Sequence, residues 1–310
     1  MSIASKANSI GMSKIGMSKS RRVEALTGYL FASPWFIGLC VFTLYPMLSS
    51  LYYSFTNYNL ARSPDWIGLT NYKIFFTSDR LIPIAVTNTL YYAMFSVPLN
   101  MIMGILVALL MNQKVRGINL IRTIYYMPNV VSVVAVAILW QLIFQNNNGL
   151  LNMALKAIGI IGPNWLTDPA HAKNALIIMN CWNAGSAMVI YLAGLQGIPR
   201  TYYEAAEIDG ASAVRKFFSV TLPLLSPSIF FNLIMGIIGA LQTFSQALIM
   251  TGGGPNNATT FYVFALYRKA FSDTRMGYAC TMAWMLLAAT LLLTMCIFRF
   301  IGRRVYYETS

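Results

Sequence analysis

The amino-acid sequence predicts an all-α integral membrane protein with six transmembrane helices. Of the 310 residues, 57% are hydrophobic and only 10% are charged, whereas a soluble globular chain carries roughly 25% charged residues. Six stretches contain no Asp, Glu, Lys or Arg: 26–60, 81–113, 123–155, 174–199, 217–267 and 276–298. Each is longer than the roughly 20 residues that a membrane-spanning helix needs.

The longest of these stretches contributes one span rather than two. Residues 251–257 interrupt it with three glycines, a proline and two asparagines, and such a cluster marks a loop. The predicted spans are 28–53, 88–111, 123–144, 175–197, 225–250 and 277–300. Four prolines inside them are expected to cause local kinks, because neighbouring groups in membrane helices satisfy the carbonyls that proline frees. They are Pro34, Pro46, Pro98 and Pro128.

Lys and Arg are concentrated on one side of these spans. The N-terminal tail, the loop near 112–122, the loop 200–224 and the C-terminal tail together carry 14 of them, against 8 on the other side. Positively charged loops face the cytoplasm, so both termini are predicted to be cytoplasmic. The net charge of +13 indicates contact with anionic lipid on that face rather than with nucleic acid.

The domain prediction follows from these boundaries. Residues 1–25 are expected to form a disordered basic tail, 26–304 the six-span domain, and 305–310 a short cytoplasmic tail.

No catalytic or metal site is predicted. The four cysteines fall within predicted spans without a Cys-x-x-Cys spacing, which is typical of packing residues. The phosphate-binding G-x-x-x-x-G-K-[ST] loop is missing, so any ATP would be hydrolysed by another chain. The lack of intramembrane charge also disfavours proton or sodium coupling, although an ion site made of carbonyl groups would escape this test.

The fourth and fifth predicted spans carry amide, hydroxyl and aromatic side chains. Amides can bind hydroxyl-rich solutes, and aromatic faces stack on the apolar face of a sugar ring. For any one residue, hydrogen bonding between helices is the more frequent role, but the cluster as a whole predicts a polar translocation path. The path candidates are Asn180, Trp182, Asn183, Gln242, Thr243 and Gln246, and the same spans carry Ser186, Asn232 and Ser245.

The predicted cytoplasmic loop between spans four and five has the pattern of two short helices joined by a glycine. Thr201 and Glu204 have the spacing of a capping box, and Gly210 can adopt the left-handed conformation that ends a helix. Ser212 is a favourable N-cap for a second short helix, which Pro223 is expected to end. Three carboxylates in the first half indicate a basic protein partner, because the membrane surface itself attracts cations.

Three motifs resemble the permease subunits of ABC importers. The Glu-Ala-Ala (EAA) loop of that family is matched across residues 204–223, although Val220 stands where the family usually has isoleucine. Gly253, Gly254 and Pro255 after the fifth span are similar to a turn of the carbohydrate-uptake permeases of the maltose and glycerol-phosphate type. A weaker match joins residues 149–152 with residues 165–166 in an outer loop.

This resemblance implies the type I ABC importer fold in the inner membrane of a bacterial or archaeal cell. The expected partners are a second homologous permease subunit, two ATPase subunits that bind ATP and Mg, an extracytoplasmic solute-binding protein, a carbohydrate and membrane lipid. The chain itself would hold no cofactor. The EAA loop would be the ATPase-coupling element, through Glu204, Ala205, Ala206, Asp209, Gly210, Leu222 and Pro223. The path candidates would contact the sugar.

The expected function is ATP-driven import of a sugar, specifically an oligosaccharide. Import of a glycerol phosphate is an alternative that would require a cation on the path; this chain shows none there, and the second permease subunit would have to supply it. A stand-alone secondary transporter is the alternative from a different class, and it would leave the acidic loop without a partner.

Overall fold

The computed structural model describes residues 19–113, 115–146 and 148–302. Within them, the only β contact is an isolated bridge between Thr56 and Trp66. The first α-helices are α1 (Lys19–Leu39), α2 (Tyr45–Ser54), α3 (Thr70–Thr77), α4 (Leu81–Met111), α5 (Ile118–Tyr126), α6 (Val133–Ile143), α7 (Leu150–Ala157) and α8 (Pro169–Trp182). They are followed by α9 (Gly185–Gly197), α10 (Arg200–Ile208), α11 (Ala213–Lys216), α12 (Leu222–Leu224), α13 (Ser226–Leu241), α14 (Ser245–Met250), α15 (Tyr262–Tyr267) and α16 (Met276–Phe300).

Three described helices are each long and apolar enough to cross a membrane: Leu26–Ser54, Leu81–Met111 and Met276–Phe300. Three bent pairs pass the same test when each pair is taken together: Ile118–Asn129 with Val133–Ile143, Pro169–Trp182 with Gly185–Gly197, and Ala213–Leu224 with Ser226–Leu241. The predicted count of six spans is confirmed when each pair forms one span. Hydropathy located the spans but gave no sign that half of them are bent.

The contacts divide the chain into two units, Met1–Tyr52 and Tyr53–Ser310. In the first unit, the apolar side chains of the described helix are exposed, as Phe31 (84%) and Phe42 (81%) illustrate. The described part of the helix extends from Lys19 and so includes residues 19–25 of the predicted tail. Extending an existing helix adds a hydrogen bond per residue without a new nucleation step. Residues 1–18 and the predicted tail 305–310 lie outside the described residues.

The predicted prolines differ in their effect. Pro34 and Pro98 lie inside helices that continue past them. Pro46 follows a π-helical segment, Cys40–Leu44. The wider turn of this segment accommodates proline, which has no backbone N–H to donate. Pro128 lies in a 3-10 turn beside a bend of 94°, which is far more than a local kink.

The prediction of one continuous helix over residues 225–250 was wrong. Helix α13 ends at Leu241 and α14 begins at Ser245. Hydropathy averages over this interruption, because the break depends on which neighbouring groups satisfy the backbone rather than on side-chain polarity alone.

Helix α4 is the centre of the second unit and packs against α8, α9, α13 and α15. Glycines allow two of these close approaches. A Cβ atom at Gly104 would lie 3.0 Å from Cβ of Ala187 in α9, and one at Gly236 of α13 would lie 3.0 Å from Cγ1 of Val97. Small residues at such contacts let helix backbones approach closely where the hydrophobic effect does not drive association.

The N-terminal end of α4 is joined to α16 by a largely buried carboxylate. One oxygen of Asp79 accepts from the N–H of Leu81 at 2.9 Å and the other from the hydroxyl of Tyr278 at 2.9 Å. The Lys269 ammonium lies 3.5 Å from the same carboxylate. These contacts fix where two of the longest helices begin.

We predict that Gly104→Val destabilises the protein by about 1–3 kcal/mol, the usual cost of overpacking, because the new side chain meets Ala187 and Tyr191. Gly38→Val is the matched control, since a Cβ atom at Gly38 has nothing within 4 Å. Thermal unfolding in detergent measures the difference. Equal stability of the two variants would contradict the packing role of Gly104.

Candidate functional site

Three spans are interrupted, and their interruptions surround one cavity. The α5 segment bends by 94° into α6, and α8 bends by 44° into α9, while residues 242–244 separate α13 from α14. One residue from each interruption, namely Asn129, Asn183 and Thr243, lines a cavity of about 410 Å³, here named the polar cavity. Interrupted helices persist at membrane depth where they line a water-filled space or are buried in protein.

A glycine allows two of these interruptions to pack together. A Cβ atom at Gly185, the first residue of α9, would collide with Nδ2 of Asn129 and lie 2.7 Å from the carbonyl oxygen of Tyr125. The break in the fourth span can therefore lie against the break in the third only with glycine at this position. At the third interruption, Phe244 leaves the helical region with φ −140° and ψ −61°.

The lining of the polar cavity is rich in amide and hydroxyl groups, and none of its described side chains is charged. Some of these groups also bond within the protein: Nδ2 of Asn100 donates to the carbonyl of Asn180 at 2.8 Å, and Nδ2 of Asn232 to that of Ser228 at 2.9 Å. An amide keeps further donor and acceptor capacity after one such bond. The polar lining comprises Tyr92, Ser96, Asn100, Asn129, Asn180, Asn183, Ser186, Asn232, Thr243 and Gln246.

The predicted path residues divide into three groups. Gln242 lines a second cavity of about 650 Å³, which shares Thr243 and Gln246 with the polar cavity. Trp182 lines neither, because a side chain one position away from Asn183 on a helix points about 100° elsewhere. It packs edge-on against Trp140, with ring centroids 6.1 Å apart, beside an apolar cavity of about 580 Å³. The remaining candidates, Asn180, Asn183, Thr243 and Gln246, all line the polar cavity.

Tyr92, Ser96, Asn100 and Asn129 were missed by the sequence reasoning. A signal existed for the first three, because polar side chains recur every four residues along α4 at Asn88, Tyr92, Ser96 and Asn100, which places them on one helix face. Asn129 gave no such signal, since its position depends on the bend after α5.

The predicted helix–glycine–helix arrangement is confirmed, and residues 200–216 are named the elbow. Gly210 is left-handed, with φ +73°. The N–H of Ala211 donates to the carbonyl of Ala206 at 2.9 Å, and that of Gly210 to Glu207 at 3.0 Å. This pair of bonds is the Schellman motif that ends a helix with glycine. Ser212 then caps α11 by accepting from the N–H of Arg215 at 3.3 Å.

Two details of the elbow prediction were wrong. Pro199 is the N-cap of α10, and no side chain caps that end. Thr201 therefore lies within the first turn, where it cannot form a capping box with Glu204. Pro223 is not the last residue of the second helix, which continues through a π-helical segment, Phe217–Thr221, to Leu224, where a bend of 66° follows. Proline is tolerated there because the wider π-helical turn before it accommodates the lack of a proline N–H.

The solvent-exposed surface of the elbow is both acidic and apolar. Glu204, Ala205 and Asp209 are exposed, and Ile208 and Val214 expose 88% and 67% of their surfaces. Adjacent acidic and apolar groups of this kind are typical of a protein interface. Of the other predicted coupling residues, Ala206 and Leu222 are half-buried and Pro223 is exposed.

The turn containing Gly253, Gly254 and Pro255 is a fixed structural element. Gly253 has φ +83°, and a Cβ atom there would collide with the ring of Phe264. Nδ2 of Asn88 in α4 donates to the carbonyls of Asn257 (2.8 Å) and Thr260 (3.2 Å). These contacts hold the turn against α4.

The two segments of the weaker sequence match, residues 149–152 and 165–166, are joined by a hydrogen bond. The indole N–H of Trp165 donates to Oδ1 of Asn152 at 2.7 Å, and Nδ2 of Asn152 donates to the carbonyl of Asn146 at 2.7 Å. Nearby, Asp168 caps α8, and bonds from the N–H of Ala170 and from His171 hold the pKa of its carboxyl below its usual range.

The chain matches known proteins over most of its length. A family model of binding-protein-dependent transport system inner membrane components matches residues 100–305. YesP of Bacillus subtilis, a probable ABC transporter permease protein, is 41% identical over 304 residues, which cover 97% of this chain and 98% of YesP. The trehalose/maltose transport system permease protein MalF of Thermococcus litoralis is 36% identical over 245 residues, covering 78% and 83% of the two chains.

A solved structure supports the same assignment. A bacterial ABC transporter involved in the import of the acidic polysaccharide alginate contains a chain that matches with a TM-score of 0.80 and 25% identity, covering 93% of this chain and 99% of that one. This match confirms the predicted importer permease fold. ATP is used by a partner ATPase in this family, in which the permease has no catalytic role. The chain belongs to the binding-protein-dependent transport system inner membrane components, as a multi-pass permease subunit of a prokaryotic ABC transporter.

Proposed function

We propose that this permease imports a sugar, specifically an oligosaccharide, through the polar cavity. The observation that carries the proposal is the meeting of three helix interruptions at a cavity lined by neutral amides and hydroxyls. Such groups exchange hydrogen bonds with sugar hydroxyls without a charge to compensate. The sugars named for the trehalose/maltose relative and the alginate transporter support this solute class.

The cavity volumes favour an oligosaccharide over a small charged solute. The polar cavity and its neighbour, of about 410 and 650 Å³, adjoin at Thr243 and Gln246, which supports a path longer than one sugar ring. A glycerol phosphate would require a cation in the lining, and none of the described lining residues is charged.

The assembly we propose contains a second permease subunit, two ATPases and an extracytoplasmic binding protein. The apolar cavity beside Trp182 and Leu139 and the exposed apolar side chains around it, such as Val130 (75%) and Met127 (56%), support a contact with the second permease. The excess of Lys and Arg on one side supports a cytoplasmic position for both termini and the elbow. The remaining apolar surface faces lipid.

The elbow is proposed to be the ATPase-coupling element. The Glu204 carboxylate would pair with a basic residue of the ATPase, while Ala205 and Ala206 permit close approach and Gly210 makes the turn. Asp209, Leu222 and Pro223 complete the element. A stand-alone secondary transporter would leave this exposed acidic and apolar surface without a partner.

We predict that Asn183→Ala and Gln246→Ala each lower the apparent affinity for the transported sugar by about three- to tenfold, as expected for the loss of one hydrogen bond. The ATPase rate of the reconstituted importer at a fixed concentration of binding protein, titrated with the sugar, measures this. Asn174→Ala is the matched control, because Asn174 lies in the same span but bonds to the Tyr91 hydroxyl at 3.1 Å. Unchanged kinetics in both cavity variants would show that these amides serve helix packing rather than sugar binding.

We predict that Glu204→Lys prevents recovery of the ATPase with the permease, because it places a cation against a basic partner surface. The variant should still insert into the membrane. Glu24→Lys makes the same charge change at another exposed position and should retain the ATPase. Full uptake by Glu204→Lys would rule out the coupling role.

We predict that Gly210→Val reduces uptake, since a left-handed φ costs a residue with a Cβ atom about 1–2 kcal/mol. Gly210→Asn should retain more uptake, because asparagine tolerates this conformation better. Gly197→Val is the control at an uncrowded helical glycine of ordinary φ. Equal uptake by the Val and Asn variants of Gly210 would contradict the turn's role.

A further inference from the structure

Two side-chain contacts hold α10, the first helix of the elbow, to the helical segment that follows Gly210. Nζ of Lys216 lies 2.6 Å from Oε1 of Glu207, and the hydroxyls of Tyr203 and Thr221 lie 3.0 Å apart. Glu207 and Tyr203 belong to α10, whereas Lys216 and Thr221 stand at the two ends of the π-helical turn. Helix α10 is therefore joined to the segment 216–221 at two points.

The π-helical segment explains how both contacts reach the same side. In a regular α-helix, residues five apart point about 140° away from each other. Here the N–H of Leu222 donates to the carbonyl of Phe217, five residues earlier, so positions five apart lie nearly above one another. Lys216 and Thr221 thereby both face α10. A π-turn at this point is what allows the double attachment.

The two contacts differ in their surroundings. Glu207 is 61% exposed in its ion pair, and an exposed pair of this kind is screened by solvent and contributes little. Thr221 is only 5% exposed, and the ring of Tyr203 packs against the apolar cluster that contains Leu195 and Leu225. A hydrogen bond is electrostatically stronger in such surroundings than in water.

We propose that Tyr203 and Thr221 form a brace that makes the elbow and the fifth span move as one rigid body. The 66° bend between α12 and α13 lies at Leu225, which is fully buried in the same apolar cluster. Displacement of the docked elbow would then rotate α13, whose far end borders the polar cavity. This inference rests on the coupling role proposed above. Both residues are positioning residues, since they act through the backbone that they hold.

The brace can be tested by distance measurements between spin labels. The four native cysteines are replaced, and labels are placed at Ala213→Cys in the elbow and Phe231→Cys in α13, both of which are exposed positions. Distances are recorded in the purified importer in nanodiscs, without nucleotide and after trapping with ATP and vanadate. The unaltered brace should give one narrow peak that keeps its position in both states.

Removal of either hydroxyl should loosen the elbow. In Tyr203→Phe and in Thr221→Val, the fraction of molecules outside the main peak should rise about fivefold, as for the loss of one hydrogen bond. The double variant should rise no further, because the two hydroxyls act as one pair. Thr221→Ser should restore the narrow peak. Ser219→Ala removes an exposed hydroxyl from the same π-turn and should change nothing.

Two results would overturn the brace. One is an unchanged distance distribution in both single variants. The other is loss of the ATPase from the purified complex of Tyr203→Phe, which would assign the residue to docking. If the unaltered permease itself recovers no ATPase, the proposed function fails, while the distances without nucleotide still report on the brace.

Discussion

Inside a bilayer, every backbone N–H and C=O group must find a partner within the protein or in an enclosed aqueous space, and the structure depends on how its spans meet this constraint. Helix α4 meets it as 31 uninterrupted residues, around which the core is packed. The third, fourth and fifth spans do not, and all three are interrupted at the polar cavity. In the proposed path, these interruptions are where water and solute enter at membrane depth.

Fixed contacts hold the helices around the polar cavity at both ends, on either side of the cavity. On one side, Asn88 of α4 holds the glycine-rich turn after α14, and Asp79 joins the starts of α4 and α16. On the other side, the Tyr203–Thr221 pair holds the elbow to the fifth span. Rigid ends and a neutral, interrupted centre suit a permease in which a movement at the elbow changes access to the cavity.

Composition and charge predicted the membrane fold and the number of spans, and the turn chemistry of Gly210 and Ser212 predicted the elbow. These features depend on local patterns that one sequence displays. The bends were not predictable in the same way, since the contact between Gly185 and Asn129 depends on how two distant segments meet. Hydropathy gave no sign of the break at Thr243. For the cavity, the sequence indicated the correct residue types in spans four and five, but Gln242 lines the neighbouring cavity and Trp182 lines neither.

Solvent access at the helix interruptions tests the account most directly. Single cysteines at Asn183→Cys and Met94→Cys, in a chain without native cysteines, are treated with a membrane-impermeant thiol reagent, which requires an aqueous thiolate. Asn183 lines the polar cavity, whereas Met94 is 71% exposed on the apolar surface of α4. We expect reaction at position 183 that sugar-loaded binding protein and ATP alter, and none at position 94. An unreactive position 183 beside a reactive position 94 would contradict the proposed path.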